Sequence, residues 1–529
     1  MFNQVNKPVT FITLALLLAA VLPLMFMSAQ ISATISWLFG ILTSDYAWFF
    51  LLFGIMSFVS ALIFAFTRYG DIRIGGPDAQ PHYSRFSWIS MNLCACLASG
   101  ILVFGTVEWM YYVTGTPHEI EPYSTRAYEY AAAYGLFHWG FSAWAIYLPP
   151  SIAIAYMYWN RKAASLRVSD SCTGLLGEDP NQNKGLKIII DGLVTFFFIA
   201  SLMTTIGLGS PLIAELASSM LGIENTFTIK LTVIFLFCLA FILAASKTIS
   251  KGMAVISRFN VWLGLGLFAY IFIVGPKAFI LNTAVQAVGL NIQEFVTFNT
   301  YTDFAANTGF VQGWTIFYWA WYVSLAIVTA LWVARVSYGR TFREVTFALV
   351  VASPLACWLS FSILGNYGMY QELSGVIKLS EVISQGNNAG TLAMLKTLPL
   401  SGLVIVVFIV LLFFNLATTC TANSTIVAML TSQGVKEDEE PNTWYKVFWG
   451  VIFLLLPVGI LILERQVPGV KILGTLQSVT GVISIPMFFI LMMLYYSVYK
   501  SVKQDIDNGT VSIDPKRRYR WPELNKDKG

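Results

Sequence analysis

Two short stretches of the chain crowd large rings into apolar surroundings. One reads Phe137-His138-Trp139-Gly140-Phe141-Ser142-Ala143-Trp144-Ala145-Ile146-Tyr147, the other Trp314-Thr315-Ile316-Phe317-Tyr318-Trp319-Ala320-Trp321-Tyr322. In a helix Trp144 and Tyr147, three apart, share a face, with Trp139 a turn or more before them. Ring faces hold a cation that has no hydrogen to donate, each contributing roughly 0.5–2 kcal/mol once water is excluded. Trp and Tyr also collect in belts at membrane interfaces. A belt rarely sets this many rings consecutively around a whole helix, which favours the cage.

The run Phe104-Gly105-Thr106-Val107-Glu108-Trp109 carries a carboxylate in an apolar segment. An unpaired charge there costs several kcal/mol, so Glu108 has either a gating role or a structural hydrogen-bonding one. Phe317 and Trp319 carry the same two readings. His138 is either a proton shuttle or a satisfied core histidine. Gly100, Gly105, Gly207-Leu208-Gly209-Ser210-Pro211 and Gly313 mark either backbone breaks beside a cavity or close helix packing. No paired acid and base, metal-ligand spacing or nucleophile motif occurs, so no catalytic residue, cofactor or enzymatic activity is expected. Cys94, Cys96, Cys172, Cys238, Cys357 and Cys420 lack a metal or disulfide spacing and read as small buried hydrophobes.

These residues sit in a chain of 529 residues of which 57% are hydrophobic and 11% charged, far below the charge of a soluble domain. The fold expected is an all-α polytopic membrane protein. About twelve apolar runs are each near the ~20 residues that cross a bilayer. They cover 10–30, 47–67, 88–113, 127–157, 187–220, 226–246, 252–283, 312–334, 345–371, 401–432, 443–464 and 475–499. The first lacks a small-residue cleavage site and reads as a retained helix. Loops after the even-numbered runs hold Arg68, Arg73, Arg85, Arg161, Lys162, Arg167, Lys247 and Lys251. The positive-inside rule makes them cytoplasmic, with both termini inside a plasma (inner) membrane. Arg335, Arg340 and Arg343 read as topology signal and headgroup contacts. Stretches 31–44 and 284–306, the latter broken by Asn299, Thr302 and Asp303, read as interfacial, and the chain from Asp505 as a solvated charged tail. Residues 1–500 then form one integral domain and 501–529 a cytoplasmic tail. The net charge of +4 is dispersed, so lipid rather than nucleic acid is the expected partner.

The run Gly313 to Trp321, the following Ala334-Arg335-Val336-Ser337-Tyr338-Gly339-Arg340-Thr341-Phe342-Arg343-Glu344, Phe137-His138-Trp139 and Gly105-Thr106-Val107-Glu108 together resemble the betaine/choline/carnitine transporter family over nearly all the runs. The resemblance implies two extra helices (10–67) before an inverted five-helix repeat core of LeuT-like type (88–283 and 312–499), in a homotrimer. It implies a substrate cage at Trp139, Trp144, Tyr147 and Trp321, with Tyr322 beside it. Tyr111 matches a substrate-facing tyrosine of carnitine-type members. Tyr322 replaces a common tryptophan and Leu325 a further ring, which leans toward a compact cargo such as trimethylamine N-oxide among glycine betaine, carnitine and choline.

The family contains sodium symporters and sodium-independent exchangers. One sodium site would correspond to Cys94, Leu97, Cys420 and Thr421, with Thr418, Thr419 and Ser424 nearby; sodium wants oxygen, so Cys420 would serve through its carbonyl. The exchangers' arginine aligns with Asn260, two residues from Arg258. The threonines of a second site align with Phe198 and Leu202, unless Thr204 and Thr205 substitute. Sodium is therefore the expected coupling ion and the sole expected metal. Exchange without sodium is the alternative mechanism, and a membrane osmosensor the alternative outside transport.

Overall fold

The computed structural model describes residues 5–511 except 27, 97–98, 164, 178, 180–181, 246–249, 434–440 and 467–471. Among the described residues the regular secondary structure is helical, joined by turns and two isolated β-bridges, Val5 to Ser432 and Arg73 to Thr341. Seven helices among the described residues are long and apolar enough to cross a membrane: Ala47–Phe66, Lys184–Leu221, Val311–Val336, Phe342–Leu373, Ser401–Leu430, Thr443–Gln466 and Gln477–Asp507. This is a multi-pass membrane protein.

The other expected spans fall on helices that are shorter or interrupted. Helices α1 (Lys7–Phe26), α2 (Ser28–Asp45) and α3 (Ala47–Phe66) come first, and the run 88–113 becomes α4 (Arg85–Cys96) and α5 (Ser99–Thr114). The run 127–157 is broken into α6 (Thr125–His138), α7 (Phe141–Ala145) and α8 (Leu148–Ala155). Gly140 is the cause of the first break: a Cβ there would sit 2.5 Å from the Leu136 carbonyl oxygen. Pro149 and Pro150 occupy the first turn of α8, where a missing N–H is harmless. The run 252–283 also turns, because Gly275 and Pro276 separate α11 (Ser250–Val274) from α12 (Lys277–Gln293) at 111°.

Helix α9 (Lys184–Leu221) is the axis of the bundle, buried over most of its length, whereas α3 exposes one apolar face. On α10 (Phe227–Ala245) and α11, Phe235 and Trp262 are 66% and 72% exposed. Surfaces of that kind suit hydrocarbon, where every backbone group is already bonded within its helix. Among the described residues there are four π-helical turns, at Tyr156–Asn160, Val311–Ile316, Phe347–Ala352 and Phe361–Gly365, the last two within the one helix Phe342–Leu373.

Two surface expectations, for the arginines and for the chain at Asp505, are corrected. Arg340 and Arg343 are buried rather than at headgroups: Arg343 donates to the carbonyls of Ala65 (2.7 Å) and Thr67 (2.8 Å) and pairs with Asp71, and Arg340 donates to the Tyr83 carbonyl at 2.6 Å. The loops after α3 and after α13 (Phe317–Val336) are thereby tied together at one end of the bundle. In the stretch 284–306 the polar residues turn inward, Asn291 donating to Ala133 O at 2.8 Å and buried Asp303 accepting from Thr308 and Gly309, while Val285, Ile292, Val296 and Phe304 remain exposed. The chain at Asp505 is not a solvated extension either. It continues helix α15 (Ile472–Asp507), and Arg161 grips the Asp505 carboxylate with two bonds of 2.8 and 3.0 Å while Tyr156 donates to it.

Candidate functional site

Helix α6 stops at His138 in the middle of the bundle, so its last carbonyls need partners from outside the helix. Tyr322 supplies one, its hydroxyl donating to His138 O at 3.0 Å, and Trp358 Nε1 supplies another to Leu136 O at 2.8 Å. The departure at 322 therefore has a reason internal to the fold, because a phenol reaches this carbonyl end-on. Leu325 is half-buried on the same helix.

The break releases Trp139, Trp144 and Tyr147 from a regular helix and turns them toward α13. Their rings make a continuous edge-to-face chain. Trp321 meets Trp139 at 6.1 Å and 90°, Trp139 meets Tyr322 at 6.0 Å and 84°, Tyr322 meets Tyr147 at 5.5 Å and 79°, and Tyr147 meets Trp144 at 5.4 Å and 74°. Such pairs suit the ring quadrupole. All five are at least 96% buried. Gly100 on α5 forms the corner beneath the two indoles: a Cβ there would lie 3.2 Å from Trp321 and 3.4 Å from Trp139. The Trp321 indole N–H is buried without a hydrogen-bond partner, a costly state that an acceptor oxygen on a ligand would relieve.

The remaining expected residues divide. Phe317 stacks on Trp321 at 5.7 Å and 17°. Trp319 packs on Gly54 of α3 and on Phe137 at 5.4 Å, and it reaches the chain of rings at Tyr322, 6.5 Å away. Tyr111 is set apart, donating to the Asn387 side chain and lying 5.3 Å from Trp314. Glu108 lies behind Trp139 and accepts hydrogen bonds from Trp139 Nε1 (3.1 Å), the Tyr318 hydroxyl (2.6 Å) and the Tyr112 hydroxyl. Phe104, Tyr318 and Phe361, at 5.8, 6.2 and 5.4 Å from Trp321, Trp321 and Trp139, complete the walls. Sequence reasoning did not single them out, although Tyr112 at four residues after Glu108 and Tyr318 at three before Trp321 stand at helical spacing. A crevice of about 10 Å³ lined by Gly105, Trp109, Gly135, Phe361 and Gly365 adjoins the rings, room for about one water.

Of the expected sodium residues, Leu97 and the Cys94 side chain lie outside the described residues. Cys420 is buried on α14 (Ser401–Leu430). Thr421 donates to Ala417 O at 2.8 Å and Thr418 to Phe414 O at 2.9 Å, which leaves their oxygen lone pairs available to a hard cation. Asn260 donates to Leu411 O at 3.4 Å, a point on α14 roughly 15 Å along the helix from Thr421 at 1.5 Å per residue. Phe198 and Leu202 are buried. Thr204 faces Thr480 at 3.4 Å.

The family model for betaine/carnitine/choline family transporters matches residues 8–507. A protein of Acinetobacter baumannii named carnitine transporter is 31% identical over 481 residues, covering 90% of this chain and 85% of that protein. An Escherichia coli protein named uncharacterized transporter YeaV is 30% identical over 442 residues, covering 83% of this chain and 90% of its own length.

Proposed function

The chain belongs to the betaine/carnitine/choline transporter family, and on that premise we propose that it is a secondary transporter taking up one small trimethylammonium osmolyte by sodium symport. The observation that carries this is the ring chain from Trp321 through Trp139, Tyr322 and Tyr147 to Trp144, drawn from two separate parts of the sequence. A trimethylammonium head offers no N–H donor, so edge-to-face rings whose quadrupoles attract cations are the chemistry that recognises it. The partnerless N–H of Trp321 suits the ligand's oxygen, which fits trimethylamine N-oxide and glycine betaine as well as carnitine; the Acinetobacter relative's name favours carnitine.

The arrangement proposed is twelve spans with both termini cytoplasmic in the inner membrane, two inverted repeats rocking around the cage, and a homotrimer. Sodium would be held by the hydroxyls around Thr421 with the carbonyl of Cys420. The ion supplies the gradient that drives uptake. Buried Phe198 and Leu202, where a second sodium site would need oxygen, favour a second reading of sodium-independent exchange.

Calorimetric binding of trimethylamine N-oxide, glycine betaine, carnitine and choline to the purified protein, in sodium and then in potassium, tests both. Binding at least tenfold tighter in sodium is expected. Equal affinity in the two salts refutes the symport reading and leaves exchange.

A further inference from the structure

Glu108 does not end its hydrogen bonding at the rings. The Tyr112 hydroxyl that contacts Glu108 Oε1 also lies 2.6 Å from His138 Nδ1, and His138 Nε2 lies 2.9 Å from the Thr315 hydroxyl. All four side chains are buried. Tyr112 has one proton for two neighbours, and a neutral imidazole has one donor and one acceptor nitrogen. Two arrangements satisfy every bond.

In the first, Glu108 is ionised and accepts from Tyr112; His138 carries its proton on Nδ1 and donates to Tyr112, while Nε2 accepts from Thr315. In the second, Glu108 is protonated and donates to Tyr112, Tyr112 donates to Nδ1, and Nε2–H donates to Thr315. The two differ by one proton. A solvent proton delivered to Thr315 displaces the hydroxyl proton to Nε2, that on Nδ1 passes to Tyr112, and that of Tyr112 passes to Glu108, so Thr315, His138 and Tyr112 end neutral as they began and the carboxylate alone changes charge, from −1 to neutral. In both arrangements the other oxygen, Oε2, accepts from Trp139 and Tyr318. Trp139 thus stands between the carboxylate and the ring chain.

We propose that Glu108 is the proton acceptor of this relay, and that a proton on Glu108 and a trimethylammonium cation among the rings compete. An ionised carboxylate behind Trp139 attracts a cation at its face; a protonated one does not. The inference rests on the rings being the cation site. Titratable groups facing the relay are Tyr112 on α5, Tyr134 and His138 on α6, and Tyr318 on α13, with His118 bonded to Tyr134 at 2.8 Å. Among the described residues no lysine, arginine or aspartate bonds to Glu108, Tyr112 or His138.

The test is calorimetry of choline and glycine betaine binding to the full-length protein between about pH 6 and 9, repeated in two buffers of different ionisation enthalpy to count protons. Linkage predicts that affinity falls as pH falls, by up to about tenfold per unit, with release of up to one proton per ligand bound. Glu108→Gln keeps a carbonyl for Trp139 and Tyr318 and offers an amide N–H to Tyr112, so it is locked in the proton-bound arrangement, and its affinity should be flat with pH. A folded variant that keeps the wild-type slope overturns the proposal. The proton count on the unaltered protein needs no variant, and ligand binding without proton release overturns it equally. If neither ligand binds at any pH, the cation site itself is refuted; pH-independent binding refutes the relay alone.

Discussion

Replacing Trp321 by leucine removes one ring from the proposed cage while refilling part of its volume. Alanine is the poorer choice, because truncating a buried tryptophan costs about 3–5 kcal/mol in stability. In the native site the indole is held by Phe317 at 5.7 Å, Phe104 at 5.8 Å and Trp139 at 6.1 Å, so its face is fixed and desolvated. A cation–π contact in such a setting is worth about 2 kcal/mol, or about 30-fold in Kd. Affinity alone does not isolate that contribution, since leucine also changes shape. The informative quantity is a cycle between ligand charge and ring: choline against its neutral carbon analogue, in which a tert-butyl group replaces the trimethylammonium. Calorimetry on both proteins should show the preference for choline over its analogue falling by roughly 10- to 30-fold in Trp321→Leu, because a cycle of this kind cancels effects common to both ligands. An unchanged preference would mean that Trp321 fills space and does not hold the cation.

Two further outcomes follow from the same geometry. Gly100→Ala places a methyl group 3.2 and 3.4 Å from Trp321 and Trp139; choline affinity should drop several-fold while the melting temperature moves little, and a variant with native affinity would show that the corner is not part of the site. His118, bonded to Tyr134 and 4.0 Å from the Tyr301 ring, has its proton affinity lowered by burial, partly offset by Glu294 and Asp303. Its unfolded value is near 6.5, so the turn 115–123 has its full stability above that pH and loses it as pH falls through the lowered value. Amide exchange in this turn, corrected for intrinsic rates, should speed up on acidification to about pH 5 in the native protein and not in His118→Gln.

The long apolar runs and the ring-rich segments could be read directly from the sequence because both are local patterns. The breaks were harder. Gly140 and Pro149-Pro150 were visible, yet whether a glycine ends a helix or merely lets another pack depends on which donors can reach the freed carbonyls, and these come from Tyr322 and Trp358, 184 and 222 residues away. The partners of Glu108 divide the same way: Tyr112 lies one turn along the same helix, whereas Tyr318 is 210 residues distant. Asp505 looked like the start of a tail because the groups that bond its carboxylate, Tyr156 and Arg161, lie 349 and 344 residues away in the chain. Arg340 and Arg343 show the limit of the charge rule, because their burial beside loop carbonyls rather than headgroups is decided by packing.

The π-helical turns carry a mechanical consequence. Each stores one residue more than an α-helix needs over the same length. Val311–Ile316 runs straight into the helix of Trp321, Phe361–Gly365 contains the ring that touches Trp139, and Tyr156–Asn160 follows the helix beyond Tyr147. Sliding that surplus residue along its helix would screw the intervening segment by about 100° with a rise of about 1.5 Å, without unpairing more than one turn. If the rings hold the cation as proposed, a shift of this kind in three of the segments that carry them would swing a ring out of register and back while the rest of the bundle stays seated.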